Sequence, residues 1–357
     1  MYIDHIHFYV EDAKKWRDWF IEVMGFQWVG SGSDRETQTE VVSNCLEREN
    51  PHYLMFAVSS PLSVNSKVAR FLQHRPPGVG DVAFRVVDLE GLTSESVEEL
   101  KTERGSLKWQ KIVSVANIEH TLIQRQGESS LLPLDYVKPV MRGHKPSPGI
   151  TGIDHLVLNV YAGDIEKTVT WYEQHLGFIR QQAFTIQTPR SSLYSQVIIH
   201  PVTGLQLPIN EPTSHNSQIQ EFLEVNRGEG IQHIALKTAK ITLLTEKLRS
   251  AGLSFLAIPK TYYESIEYQK FNFSYGEWQQ LIEQEILIDF ESQYGENING
   301  ETPLLLQIFT QPVFSKPTFF FELIERRYQA RGFGEGNFQA LFEAIEREQD
   351  KRGSLVI

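Results

Sequence analysis

The sequence predicts an α+β protein of two domains, each built from paired βαβββ modules that curl into an open barrel, with a helix at the C-terminus. Three observations predict it. Ile3-Asp4-His5 returns as Ile153-Asp154-His155, which marks an internal duplication. Each copy reads as strand, helix and several strands, run twice. Between the copies, residues 138–150 (KPVMRGHKPSPGI) hold three prolines and two glycines and read as a linker. The expected division is therefore 1–137, a linker at 138–150, and 151–357.

The elements follow in order. Residues 3–10 (IDHIHFYV) and 153–160 (IDHLVLNV) are rich in β-branched and aromatic residues and read as strands. Helices are expected over 13–25 and 165–177, with Trp19-Phe20 opposite Trp171-Tyr172. Gly25 and Gly177 suit left-handed C-caps. The strand at 78–84 (GVGDVAF) parallels 228–236 (GEGIQHIAL), with one residue inserted in the second copy, and a second helix is expected after each. Late in each half, residues 120–125 (HTLIQR) parallel 321–326 (FELIER). Residues 291–303 (ESQYGENINGETP) read as an exposed acidic loop before a strand at 304–309. At the end, Phe338, Leu341, Phe342 and Ile345 fall at i, i+3, i+4 and i+7, one apolar helix face, with Asn337 as its N-cap.

Bulk properties narrow the function. A chain of 357 residues, 41% hydrophobic and 22% charged, can bury two cores. Its net charge of −11 argues against nucleic acid and anionic membranes as partners. No apolar run approaches the roughly 20 residues that span a bilayer, and no secretory signal is expected. Cys45 is the only cysteine, which excludes an intramolecular disulfide and a cysteine-rich zinc site. A reducing, cytoplasmic setting is expected.

The duplication lets one half control for the other. His5 and His155 match, but opposite Asp81 the second half has His233, and opposite Thr121 it has Glu322. Two imidazoles and a carboxylate suit a divalent metal with open positions, as in non-haem Fe(II) oxygenases or some catalytic zinc sites. Each candidate lies in a strand-like run, where alternation points every second side chain to one face. Glu322 sits between Phe319-Phe320-Phe321 and Leu323-Ile324, where an uncompensated carboxylate is costly. His5 reads as structural. His52, His74, His120, His144, His175, His200 and His215 read as surface or loop residues.

These residues also carry a resemblance. Ile153-Asp154-His155, then 207–212 (LPINEP), 217–220 (SQIQ), 228–236, 304–310 (LLLQIFT), 319–326 and 332–346 (GFGEGNFQALFEAIE) resemble in that order the 4-hydroxyphenylpyruvate dioxygenase family. That family lies within the vicinal oxygen chelate (glyoxalase-like) superfamily. The resemblance spans essentially the whole chain and is strongest after residue 150. It implies Fe(II) held by His155, His233 and Glu322, with Gln232 and Gln307 beside the metal. It implies that Ser195, Asn210 and Gln218 orient the substrate through hydrogen bonds. Phe309, Phe320, Phe333 and Phe338 would form an aromatic wall, with Asn337 in the same pocket and the C-terminal helix as a gate. The implied reaction takes 4-hydroxyphenylpyruvate and O2 to homogentisate and CO2. A homo-oligomer, dimer or tetramer, is expected, with an aromatic 2-oxo acid and O2 as small-molecule partners.

The residues agree with those assignments in their own right. Gln307 and Phe309 are two apart on one strand and share a face, as do Phe320 and Glu322. An aromatic keto acid needs an apolar slot with a few polar anchors. Two departures stand out: 291–303 is longer than in the family, and the N-terminal half matches less closely. The nearest alternative is 4-hydroxymandelate synthase, which hydroxylates the benzylic carbon; Pro208, Asn210 and Phe338 favour homogentisate. An extradiol dioxygenase, a glyoxalase-like isomerase and a metal-free binding module are the others.

Overall fold

The repeated Asp-His segment opens each half and becomes a central strand of its sheet. The computed structural model describes the chain apart from residues 46–52, 90–96, 103–104, 128–131, 135–136, 141–148, 265, 267–272, 291–302, 333 and 354–357. The first half runs β1 (Tyr2–Tyr9), α1 (Ala13–Glu22), β2 (Gln27–Ser33), β3 (Thr37–Ser43), β4 (Met55–Pro61), α2 (Lys67–His74), β5 (Gly78–Arg85), β6 (Glu98–Thr102), β7 (Gly105–Val113), β8 (Glu119–Gly127) and β9 (Lys138–Pro139). The second runs β10 (Ile150–Asn159), α3 (Ile165–Leu176), β11 (Ile179–Gln187), β12 (Ser192–Ile199), β13 (Gln206–Pro212), α4 (Gln218–Asn226), β14 (Gly230–Thr238), α5 (Ile241–Ser250), α6 (Thr261–Glu264), α7 (Tyr275–Glu283), β15 (Leu287–Phe290), β16 (Leu304–Phe309), β17 (Phe320–Arg327) and α8 (Glu335–Arg352).

The sheets are ordered β6-β7-β8-β5-β1-β4-β3-β2-β9 and β11-β12-β13-β10-β14-β17-β16-β15. In each, two βαβββ modules join antiparallel, along β1/β5 and along β10/β14. Beside that seam the pairs β1/β4, β5/β8, β10/β13 and β14/β17 are parallel. This is the expected glyoxalase-like architecture. The modules are linked by α2 and α4, which the repeat did not suggest. Ser66 and Ser217 cap them, accepting backbone N–H groups of Ala69 and Ile219.

Several expectations are corrected. Lys138 and Pro139 pair with β2, so the expected linker begins as a strand of the first sheet; its residues 141–148 lie outside the described residues, as do 291–302 of the acidic loop. The helix expected after Ala83 falls on 90–96, also outside them, whereas its counterpart is α5. Gly78 pairs with Tyr9 as Gly230 pairs with Asn159, so the two copies align there without an insertion. Gly177 is the left-handed C-cap of α3, but α1 caps at Val23, two residues before left-handed Gly25. The N-cap of α8 is left-handed Gly334, and Asn337 lies inside the first turn.

The core is continuous across the halves. Ile6 and Phe8 of β1 alternate with polar His5 and His7, and Phe8 meets Phe319 of the second half at 5.3 Å between ring centroids. The same pseudo-symmetry places Phe20 of α1 against Phe321 of β17 and Tyr172 of α3 against His120 of β8. His120 is therefore buried, not a surface residue as expected. Its Nδ1 donates to the Val82 carbonyl (3.1 Å), and its Nε2 accepts from the Tyr172 hydroxyl (2.8 Å). Burial lowers its pKa to about 4, which keeps it neutral. Among the described residues, no helix is long and apolar enough to cross a membrane.

Candidate metal centre

Three strands bring the site together. His155 lies on β10. Across the antiparallel seam, Val157 of β10 faces His233 of β14. The parallel β14/β17 register pairs Ala235 with Glu322. All three side chains are buried, and their ligand atoms lie within 4.8 Å of one another. Glu322 Oε2 stands 3.3 Å from His155 Nε2 and 3.6 Å from His233 Nε2. The imidazole rings are 5.9 Å apart and tilted by 76°. Two ring nitrogens and one carboxylate oxygen thus converge from three strands, a donor set that fits a divalent cation and leaves coordination positions free.

The charges answer one another. Burial by itself depresses His155, but Glu322 and Asp154 outweigh it and raise the pKa to about 9. Burial favours the neutral acid at Glu322, yet His155 and His233 draw it down to about 2. His233 is lowered, chiefly by burial.

Each ligand is held from behind. His155 Nδ1 faces Asp154 Oδ1 at 3.0 Å, which fixes the tautomer and aims Nε2 inward. Arg326 clamps Asp154 with two bonds of 2.8 and 2.7 Å. Burial would raise Asp154, but Arg326 and His155 hold it far below the ordinary carboxylate range. The first half repeats this frame: His5 Nδ1 lies 2.8 Å from Asp4, which Arg125 clamps at 2.6 and 2.7 Å. The shared Ile-Asp-His signature is therefore an Asp–Arg clamp, common to both halves. What differs is the opposing pair. In place of His233 and Glu322, Asp81 accepts the backbone N–H of Thr121 at 2.9 Å and its hydroxyl as well. Among the described residues, His155, His233 and Glu322 form the one group placed to hold a metal.

Gln232 reaches the site through a β-bulge. The β10/β14 register steps from Val157↔His233 to Leu158↔Ile231, leaving Gln232 as the extra residue. Its Oε1 lies 3.3 Å from His233 Nδ1. Gly80 occupies the same bulge in the first half, between Asp81 and Val79. Gln307 donates from Nε2 to Glu322 Oε1 at 2.9 Å and accepts from Asn337 Nδ2 at 2.7 Å. Phe320 stacks on the His233 ring at 4.7 Å and 18°, and Phe309 meets it edge-on at 6.4 Å. Phe338 stacks on Phe184 of β11 at 5.1 Å. Phe333 lies outside the described residues.

Ser195, Asn210 and Asn159 form a row across β12, β13 and β10, and Asn210 donates to Asn159 at 3.3 Å. Ser195 Oγ, Asn159 Nδ2 and Gln218 Oε1 are buried with no partner among the described residues. Such orphans are costly unless a ligand satisfies them. A pocket opens between α4, α8 and the turn after β16, lined by Gln218, Phe222, Gln232, Thr310, Phe320 and Arg352. Over it, α8 is tied down by Glu346 to Thr188 (2.7 Å) and by Arg352 to Glu221 (3.0 Å). The sequence reading missed Asn159, although it stands four residues after His155 on the same strand face. It also missed Phe184 and Tyr262, which no local pattern marks.

Residues 152–272 match the family model described as Glyoxalase/Bleomycin resistance protein/Dioxygenase superfamily. The chain is 36% identical to a 4-hydroxyphenylpyruvate dioxygenase of Dictyostelium discoideum, over 99% of each chain. It is 35% identical to the enzyme of that name from Yarrowia lipolytica, over 99% of this chain and 93% of the other. An uncharacterized protein of Synechocystis is 35% identical over 97% of each. Among solved structures, a mutant of 4-hydroxymandelate synthase from Streptomyces coelicolor matches with a TM-score of 0.78 at 23% identity, covering 98% of this chain and 99% of that one. That likeness establishes the fold.

Proposed function

The chain belongs to the 4-hydroxyphenylpyruvate dioxygenase family, and on that premise we propose that it converts 4-hydroxyphenylpyruvate and O2 to homogentisate and CO2. The cofactor in this reading is Fe(II), held by His155, His233 and Glu322. The observation that carries it is the buried, convergent set of those three side chains, complete in one half of a duplicated fold. When bound, Fe(II) supplies positions for the 2-oxo acid and O2 and the redox chemistry of oxidative decarboxylation and ring hydroxylation.

The chain's own residues hold and orient. Asp154 keeps the His155 proton on Nδ1. Gln307 occupies Glu322 Oε1, so that Oε2 is the oxygen presented. Ser195, Asn210 and Gln218 anchor the polar ends of the substrate, and binding satisfies Ser195 Oγ and Gln218 Oε1, which are buried with no partner among the described residues. Phe309, Phe320 and Phe338 wall the aromatic ring, and α8 excludes water. Pro208, Asn210 and Phe338 carry the preference for ring over benzylic hydroxylation. Cys45 as the lone cysteine suits a reducing, cytoplasmic setting.

The test is anaerobic loading with Fe(II), then O2 uptake with 4-hydroxyphenylpyruvate and identification of the product. Homogentisate is expected. Formation of 4-hydroxymandelate, or O2 uptake with a catechol alone, overturns the proposal.

A further inference from the structure

A directional hydrogen-bond chain runs from the metal-site carboxylate to the start of α8. Ionised Glu322 can only accept, so Gln307 must turn its Nε2 towards it, at 2.9 Å. Gln307 Oε1 then accepts from Asn337 Nδ2 at 2.7 Å. Asn337 Oδ1 is left facing the Tyr262 hydroxyl at 2.8 Å, where the phenol is the donor. The phenol oxygen in turn accepts the Ile288 N–H at 2.9 Å. Gln307 and Asn337 are fully buried, so water cannot substitute for either partner. The acceptor at one end and the backbone donor at the other favour this proton order, in which the Tyr262 proton goes to Asn337 Oδ1 with the Ile288 carbonyl, at 2.9 Å, as its second acceptor.

Close packing adds to it. A Cβ at Gly334 would lie 1.9 Å from Gln307 Oε1, so the helix start is pressed against that amide. Asp289 of β15 accepts the Gly336 N–H at 3.2 Å. Tyr262, on α6, bonds β15 through Ile288 and α8 through Asn337.

We propose that Tyr262 is a positioning residue for the metal carboxylate, acting through Asn337 and Gln307, so that the seating of α8 fixes which oxygen Glu322 presents. Oε1 is occupied by Gln307 while Oε2 faces the imidazoles at 3.3 and 3.6 Å. Lifting the first turn of α8 removes the Asn337 bond that sets the Gln307 amide, and so loosens the hold of Gln307 on Glu322. The proposal rests on the reading of His155, His233 and Glu322 as a metal centre.

The experiment uses the metal-free full chain and its Tyr262→Phe variant. Amide hydrogen exchange is followed over residues 335–340, and Co(II) is titrated with its visible absorption recorded. Faster exchange in that turn, an altered Co(II) band and about tenfold weaker Co(II) binding are expected. The Co(II) loss must also fail to add to that of Gln307→Leu, because both changes break one chain. Unchanged Co(II) affinity and spectrum, or losses that add, overturn the proposal. Should Tyr262→Phe not fold, Asn337→Asp sets an acceptor against Gln307 Oε1 and must give the same signature; an unchanged signature overturns the proposal equally. Co(II) bound normally with no effect of Tyr262 sinks this inference alone, whereas a parent chain that binds no Co(II) sinks the metal reading beneath it.

Discussion

The two Asp–Arg clamps allow one substitution to be made twice, once at the candidate metal centre and once at its counterpart in the first half. Asp154→Asn leaves Arg326 without its counter-charge, and Asp4→Asn does the same to Arg125. Breaking a buried ion pair costs about 3–5 kcal/mol. The Arg125 side chain is 8% exposed and Arg326 19%, so the loss of stability should be the larger for Asp4→Asn. Metal affinity should behave in the opposite way. Asp154 fixes the tautomer of His155, whose Nε2 points at the ligand position, and losing such a partner weakens metal binding about 10–100-fold. Asp4 backs His5, which belongs to no metal-holding group among the described residues and has Asp81 and Thr121 where the second half has His233 and Glu322, so Asp4→Asn should leave metal affinity unchanged. Urea unfolding of the metal-free proteins gives the first quantity and Co(II) titration the second. Equal Co(II) losses in the two variants, or none in Asp154→Asn, would refute the reasoning.

Other outcomes follow from the same structure. His120 has its pKa lowered to about 4 in the fold from 6.5. The unfolded chain therefore takes the proton first, and stability falls as pH drops from 6.5 towards 4, by about 2.5 kcal/mol at about pH 4.5. The double change His120→Phe and Tyr172→Phe, which copies the Phe321–Phe20 contact, should remove that slope from the difference in unfolding free energy; an unaltered slope contradicts it. Glu322→Ala should abolish bound metal and turnover together, measured by metal analysis and O2 uptake, while His5→Ala keeps its metal. Gly334→Ala places a Cβ against Gln307 in a left-handed position. It should cost about 1–2 kcal/mol from the backbone alone and slow turnover further by displacing Gln307, as thermal unfolding and steady-state rates would show.

Much of this was legible because strand alternation is local. The period of two put His155, His233 and Glu322 on inward faces, and the first half, with Asp81 and Thr121, showed the same positions without ligands. The remainder depended on partners distant in sequence. His120 read as a surface residue because its neighbours say nothing of Tyr172, which the docking of α3 brings to 2.8 Å. The resemblance put Gln232 beside the metal, but its place as the extra residue of a β-bulge was not legible, since a bulge leaves no mark in composition. The N-cap of α8 was misplaced because Asn337 has the ordinary capping chemistry, yet its amide is used by Gln307 and a left-handed glycine begins the helix instead. Arg125 and Arg326 stood in the repeat in plain sight, but their role needed the geometry of the clamp.

Iron content per chain after anaerobic loading, compared between the parent and Glu322→Thr, tests most directly whether the chemistry belongs to the second half. Threonine is the residue the first half carries at that place, Thr121. About one iron per chain in the parent and none in the variant is the predicted result. About two per chain in the parent, or iron retained by Glu322→Thr, would contradict it.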